Sequence, residues 1–241
     1  MEELKWKLTI GCLYPELLNL YGDRGNVRCL EKRLLWRGME AETVSFYAGE
    51  CLDLSGVDIL LLGGGSDREQ AIAGRYLLEN RKAIVRYVEE NGVLLAVCGG
   101  YQLLGNDYRT EKGTLEGLRL LDIHTEWRPK RLTGNVILKS PLASSPVVGF
   151  ENHGGRTFIK GARPFGRVIK GFGNTGDSGY EGVLYKNVIG TYLHGPLLSK
   201  NPELGDRLIG QALKQKYGAG VRLPPLSDEA EYRANRYMAV R

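Results

Sequence analysis

Val93-Leu94-Leu95-Ala96-Val97-Cys98-Gly99-Gly100-Tyr101-Gln102-Leu103-Leu104-Gly105 runs from a continuous apolar stretch into one cysteine and two glycines. The apolar stretch reads as a strand buried on both faces of a parallel sheet, and the glycines permit a sharp turn into a helix. At such an elbow the cysteine side chain is pushed clear of the backbone and the next amide can face a developing oxyanion. The N-terminus of the following helix favours the thiolate, the reactive form of cysteine. The plainer alternative is a buried cysteine acting as a small hydrophobe. Cys12, Cys29 and Cys51 lack this context and form no CxxC pair, so neither a zinc knuckle nor a dithiol site is indicated.

Working outward, Lys7 to Leu13 reads as a first strand and Asn26 to Trp36 as a helix with Val27, Leu30 and Leu34 on one face. Ala41 to Phe46 is a candidate second strand. Val57 to Leu62 is another apolar run, ending at Gly63-Gly64-Gly65, and Glu69 to Glu90 approximates one long helix. Strand, glycine turn, helix, strand, cysteine turn, helix is the alternation of a mostly parallel α/β sheet with helices on both faces. Such sheets bind ligands beyond their strand C-termini, so both glycine-rich turns fall on one edge. The second half has shorter β-like runs at 118–123, 135–138, 147–150, 168–170 and 188–193, which predict mixed or antiparallel pairing. A helix from Pro202 to Tyr217 closes a domain spanning residues 7–217. Residues 218–241 form a proline-fixed linker and a short tail helix.

A thiolate acting on an acyl group needs a base, and the chain has only three histidines. His194, in Tyr192-Leu193-His194-Gly195-Pro196, follows an apolar strand and is placed to meet Cys98 over one sheet edge. His153 reads as the organiser of a turn and His124 as a satisfied structural histidine. None has metal-ligand spacing to another. The oxyanion donors are expected at Gly99 and at Gly64 in the facing turn. Gly171-Phe172-Gly173-Asn174-Thr175-Gly176 matches GxGxxG without the strand-to-helix context of a dinucleotide site and reads as a hairpin loop. Asp23 and Asn26 read as caps of the first helix in preference to catalytic groups.

The chain has 241 residues, 42% of them hydrophobic and 25% charged, which are the proportions of an ordinary globular protein. The net charge of +5 is scattered among acids and forms no basic stripe, which argues against nucleic acid and suits an anionic small substrate or an acidic partner. The N-terminus carries acids and no long apolar run, so neither a secretory signal nor direct membrane insertion is expected. The four unpatterned cysteines suit the cytoplasm.

Cys98-Gly99-Gly100-Tyr101-Gln102 resembles the C-x-G-x-Q signature of class I, triad-type glutamine amidotransferases, whose fold is flavodoxin-like, and Leu62-Gly63-Gly64 resembles their oxyanion strand. Tyr192-Leu193-His194-Gly195 resembles the histidine motif of the cobyric acid synthase-like branch. Leu13-Tyr14-Pro15, Asn19-Leu20-Tyr21-Gly22-Asp23-Arg24-Gly25-Asn26, Arg131-Leu132-Thr133-Gly134-Asn135 and Gly149 to Thr157 resemble the GatD-type glutaminase subunits of lipid II isoglutaminyl synthase. That resemblance implies hydrolysis of L-glutamine through a Cys98 thioester with His194 as general base and acid. It also implies substrate contacts from Gln102 and Arg131, with Arg128 the rival for the α-carboxylate. No cofactor is implied in this chain; a MurT-type, Mur ligase-like partner would form a heterodimer with it and use ATP and Mg to amidate D-glutamate of lipid II. The alternatives are a cobyrinate-type amidotransferase subunit and a non-catalytic regulatory subunit. One departure stands out: the acid of the usual H-x-E is replaced by Pro196. The third group then comes from a backbone carbonyl, a distant carboxylate or, as the resemblance implies, an aspartate of the partner. The chain alone is on that ground expected to be a poor glutaminase.

Overall fold

The computed structural model describes residues 6–20 and 22–240. Most of the N-terminal stretch read above, and Tyr21 of the resembling motif, lie outside them. In chain order the elements are β1 (Lys7–Leu13), α1 (Arg24–Leu35), β2 (Glu40–Phe46), β3 (Ile59–Leu62), α2 (Asp67–Glu79), α3 (Arg81–Glu89), β4 (Val93–Val97) and α4 (Gly99–Leu103). There follow β5 (Asp107–Thr110), β6 (Gly113–Glu116), β7 (Ile123–Lys139), β8 (Val147–Ile159), β9 (Gly166–Lys170), β10 (Tyr180–Glu181), β11 (Val183–Tyr185) and β12 (Val188–Thr191). A 3-10 turn at Leu197–Lys200, α5 (Pro202–Tyr217) and α6 (Glu229–Ala239) complete the chain.

The first sheet has the order β11-β12-β4-β3-β1-β2, parallel throughout except for the β11–β12 pair. Every residue of β3 and β4 is buried, as their unbroken apolar runs require. Each fully buried leucine or valine side chain stabilises the fold by about 1.5–3 kcal/mol, so the strand that delivers Cys98 is firmly held in the core. Helix α5 packs on β3, β4 and α1, while α2 packs on α4.

The second sheet has the order β10-β9-β7-β5-β6, with β8 paired to β7. The separate runs at 135–138 and 147–150 are parts of two long strands, β7 and β8, which pair antiparallel along their length with a register shift between Trp127 and Leu132. The polar stretch Arg128-Pro129-Lys130-Arg131 interrupts the alternation there and hides the strand's continuity. Residues 118–122 are not a strand. The Leu118 amide donates to the Leu103 carbonyl (2.8 Å), and the Leu120 and Leu121 amides both donate to that of Leu104 (3.0 Å each), capping the end of α4.

The long helix expected from Glu69 to Glu90 is two helices. Ser66 and Glu69 form a capping box that starts α2 at Asp67. Asn80 ends it, its side chain accepting from the Leu52 amide at 2.9 Å and donating to the Glu50 and Tyr76 carbonyls. The tail helix forms as expected and docks on β8 and the 3-10 turn.

Candidate active site

Register alone brings Cys98 and His194 to one place. Thr191 of β12 pairs with Val97 of β4, and the Cys98 amide donates to the Thr191 carbonyl at 2.8 Å. The two strands therefore end side by side, Cys98 at the first residue beyond one and His194 three residues beyond the other. His194 is fixed by the second sheet: its amide donates to the Phe150 carbonyl (2.7 Å) and its carbonyl accepts from the Phe150 amide (3.2 Å). The site lies where the two sheets meet.

Cys98 has φ 52° and ψ −107°, a conformation disfavoured for any residue with a Cβ. Strain of this kind costs on the order of 1–3 kcal/mol and persists where the surroundings over-determine it. Here they do, because the Gly100 amide donates to the Gly63 carbonyl at 3.0 Å. A Cβ on Gly100 would lie 2.6 Å from the Leu62 carbonyl oxygen, so only glycine lets the two turns approach this closely.

The carboxylate that faces His194 is Asp23. Its Oδ1 lies 3.5 Å from His194 Nδ1, while its Oδ2 accepts from the Gly64 amide at 2.8 Å. Asp23 thus does not cap α1 with its side chain, and Asn26 does not either: the Arg24 amide donates to Asn19 Oδ1, and Asn26 Oδ1 accepts from the Leu198 amide just beyond the histidine loop. The reading of Asp23 and Asn26 as caps is corrected by these longer-range bonds. The Gly64 amide, expected to face an oxyanion, is committed in this arrangement to Asp23; the Gly99 amide opens α4 directly after Cys98.

Pro196, which replaces the expected acid, has a packing role. A Cβ on Gly25 would lie 2.1 Å from Pro196 Cγ, so the proline ring rests on the bare backbone of the first turn of α1. That contact holds the Asp23 segment against the His194 loop. The carboxylate nearest His194 thus comes from across the sheet edge and not from the histidine's own loop.

Burial by itself would lower the His194 imidazole's pKa, but hydrogen bonding and charge from Asp23 and Cys98 reverse this and raise it to about 9. The ring is therefore held as imidazolium near neutral pH, able to give up a proton. Behind it, Glu181 is fully buried and accepts from the Tyr192 amide (2.6 Å) and from the Thr191 hydroxyl (3.0 Å). Burial pushes its carboxyl up to about 8, against the opposing pull of those bonds. Glu181 ties down the two residues that follow each other into the histidine loop, a role with no local sequence signal.

Gln102 is buried, its amide donating to the Tyr192 hydroxyl at 3.1 Å. Arg131 is exposed on β7 and donates to the Asn152 side-chain oxygen (2.8 Å) and carbonyl (2.7 Å). Its rival Arg128 is paired with Glu126 at 2.6 Å. His153 sits inside β8 rather than in a turn, its Nδ1 2.7 Å from the Gly155 carbonyl oxygen and its ring stacked on Tyr192 with centroids 3.6 Å apart. His124 lies in β7, stacked on Phe158. The GxGxxG segment is the β9–β10 connection, as expected, and the Phe172 and Gly173 amides donate to Glu151 (2.6 and 2.9 Å), an internal carboxylate. Among the described residues no group of three or more His, Cys, Asp or Glu could hold a metal ion, and no helix is long and apolar enough to cross a membrane.

The chain is 40% identical over 235 residues to the GatD subunit of the glutamine-hydrolysing lipid II isoglutaminyl synthase of Staphylococcus aureus, covering 96% of this chain and 95% of that one. It is 39% identical to the corresponding Streptococcus pneumoniae subunit, over 92% and 87% of the two chains. A cobyric acid synthase of Listeria innocua is 31% identical over 70% of this chain but only 34% of its own length. Among solved structures, PurLQS from Thermotoga maritima shares the fold with a TM-score of 0.57 at 18% identity, covering 88% of this chain and 99% of that one. The glutaminase domain of Trypanosoma brucei CTPS does so with a TM-score of 0.55 at 14% identity, over 90% and 96%. The model of the CobB/CobQ-like glutamine amidotransferase domain matches residues 9–202, a span that holds Asp23, Cys98 and His194, and the chain belongs to that family.

Proposed function

We propose that this chain is the glutaminase subunit of a cytoplasmic lipid II isoglutaminyl synthase, and that Cys98, His194 and Asp23 carry its chemistry. The observation that supports the reading most directly is the convergence of a strained Cys98 with a buried His194–Asp23 pair at one sheet edge.

In this reading the Cys98 thiolate attacks the side-chain carboxamide carbon of glutamine, and the carbonyl electron pair moves to oxygen, where the Gly99 amide stabilises it. His194, as imidazolium, gives its proton to the departing nitrogen as the C–N bond breaks, so that ammonia leaves and a γ-glutamyl thioester remains. The neutral imidazole then takes a proton from water, whose oxygen attacks the thioester; glutamate departs as the C–S bond breaks, and the thiolate–imidazolium pair is restored. Asp23 stabilises each imidazolium that forms and fixes the ring's orientation. Gln102 contacts the substrate, and the Gly64 amide serves as second oxyanion donor once Asp23 releases it. No cofactor takes part in these steps. ATP and Mg belong to a MurT-type, Mur ligase-like partner, which activates the D-glutamate carboxylate and receives the ammonia in a heterodimer.

The test is an acceptor assay. Purified with such a partner and given glutamine and ATP, the chain is expected to support amidation of lipid II and not of a corrin acid, and to release ammonia faster than it does alone. Amidation of the corrin acid, or equal ammonia release with and without the partner, would count against the reading.

Arg131 is assigned to the glutamine α-carboxylate, since a guanidinium already steadied by Asn152 can present a planar pair of donors. Charge-assisted hydrogen bonds of this kind contribute about 1.5–3 kcal/mol. Arg131→Ala is therefore expected to raise KM for glutamine roughly tenfold to a hundredfold with little change in kcat, whereas Arg128→Ala leaves both near wild type. The reverse pattern in steady-state kinetics would reassign the carboxylate to Arg128.

A further inference from the structure

We propose that the C-terminal helix α6, which lies beyond the residues matched by the family's model, is a brace that holds the His194 loop against the Asp23 segment, and that Asn235 is a positioning residue for the reaction. The proposal rests on the reading of His194 as the acid–base group.

Asn235 is the one residue of α6 that is fully buried. A helix docked only for hydrophobic gain turns leucines or methionines inward. This one turns an amide inward, and burying an amide is favourable only when its bonds are made. Those bonds are specific. Asn235 Nδ2 faces the carbonyls of Lys200 and Pro146 at 2.9 Å each and Asn201 Oδ1 at 3.2 Å. Lys200 ends the 3-10 turn that follows His194-Gly195-Pro196.

Asn201 extends the network to the other side of the histidine. Its Nδ2 donates to the carbonyls of Leu197 (2.6 Å) and Val148 (2.7 Å), and its Oδ1 accepts from the Val148 amide at 2.8 Å. Val148 stands two residues before Phe150 in β8, and Phe150 is the backbone partner of His194. Asn235 therefore secures both the turn leaving His194 and the strand alongside it.

The other end of α6 is tied to α1, the helix that begins just after Asp23. Asp228, immediately before α6, takes a bidentate pair of hydrogen bonds from Arg33 of α1 at 2.7 and 2.9 Å. The same guanidinium, 1% exposed, also donates through Nε to Asp206 of α5 at 2.7 Å. An arginine buried to this degree is held by its acids, and removing one leaves a charge uncompensated. His194 and Asp23 are remote in sequence, and α6 is clamped directly to the turn that leaves His194 and, through Arg33 in the last turn of α1, to the far end of the helix that follows Asp23. Near-attack geometry is sensitive to this kind of support, because a displacement of about 1 Å can cost on the order of a hundredfold in rate.

The experiment uses the full chain and compares Asn235→Ala with Arg233→Ala, an exposed position on the same helix. Asp228→Asn tests the second anchor. Glutamine hydrolysis is followed across pH, alongside thermal unfolding. Asn235→Ala and Asp228→Asn are expected to lower kcat about tenfold or more with KM within about twofold. Their pH–rate profiles shift to lower pH as His194 loses contact with Asp23, while Arg233→Ala behaves as wild type. Wild-type kcat and pH profile in a folded Asn235→Ala chain overturn the brace, as does an equal loss in Arg233→Ala. If Asn235→Ala does not fold, Asp228→Asn decides by the same criteria. A His194→Ala variant run in parallel separates the two ideas. Retained activity there removes the acid–base reading itself, whereas an inactive His194→Ala beside a fully active Asn235→Ala removes only the brace.

Discussion

Cys98→Ala and His194→Ala each lower glutamine hydrolysis by about 10⁴-fold or more, and the double variant is no slower than the worse of the two. Without the sulfur there is no thioester, and the residual rate comes from bound water. Without the imidazole the thiol has no partner for its proton and the leaving nitrogen has no donor. The two groups act on one proton in one step, so their losses do not multiply. Ammonia release by the purified chain measures this, with circular dichroism to show that each variant folds. Alanine keeps the Cβ, so the Cys98 substitution leaves the backbone strain at φ 52° in place and takes away only the sulfur. Its thermal stability is accordingly expected to stay close to that of wild type. Losses that multiply in the double variant, or a rate in either single variant above about a hundredth of wild type, would show that the pair does not act as a unit.

The parts of this site that were legible in the sequence are those whose cause is local. Cys98 and Gly63-Gly64-Gly65 stand at the ends of unbroken apolar runs, and a buried parallel strand ending in a glycine turn leaves its mark within ten residues or so of chain. His194 was legible for the same reason, as a residue just past β12. Asp23 was not, because its local setting before α1 is that of a helix cap. Its actual partners, Gly64 and His194, stand just beyond β3 and β12 at the sheet edge, and nothing local in the sequence places Asp23 beside them. Glu181 was hidden for a related reason: a lone glutamate on a two-residue strand looks solvated until β12 closes over it. In the second sheet, Arg128-Pro129-Lys130-Arg131 breaks the alternation of β7 and makes one long strand look like short ones, while the setting Glu151-Asn152-His153-Gly154-Gly155 makes His153 look like a turn residue although it lies within β8. In the sequence, Pro196 stands where the H-x-E pattern has its acid. Only the packing of its ring on Gly25 shows that the position has been given over to bringing a different acid in.

Asp23→Asn tests that substitution of one acid for another, and its expected effect is a loss of about 10³–10⁴ in kcat with little change in KM. Asparagine keeps the shape of the side chain, and its single carbonyl oxygen can still accept from the Gly64 amide. Its NH₂ group then faces His194 Nδ1, a donor where the imidazole needs an acceptor. The ring is driven to the tautomer with its proton on Nε2, which is the wrong one for taking a proton from the thiol. The pH dependence follows with a definite sign. His194 is raised from the ordinary histidine value of 6.5 to about 9, so its pairing contributes stability that is full below about pH 6.5 and is lost as pH rises through about 9. Buried Glu181, raised from 4.5 to about 8, loses stability in the same direction over an earlier window and is present in both proteins. The difference between wild type and Asp23→Asn in unfolding free energy therefore isolates the histidine: it is largest near pH 6 and narrows toward pH 10. Asp23→Ala supplies the contrast. It removes the carboxylate and also frees the Gly64 amide to meet an oxyanion, without forcing the tautomer, and so is expected to be the faster of the two variants. Should Asp23→Asn hydrolyse glutamine at the wild-type rate with an unshifted pH profile, the carboxylate that orients His194 comes from outside this chain, and the partner becomes the place to look for it.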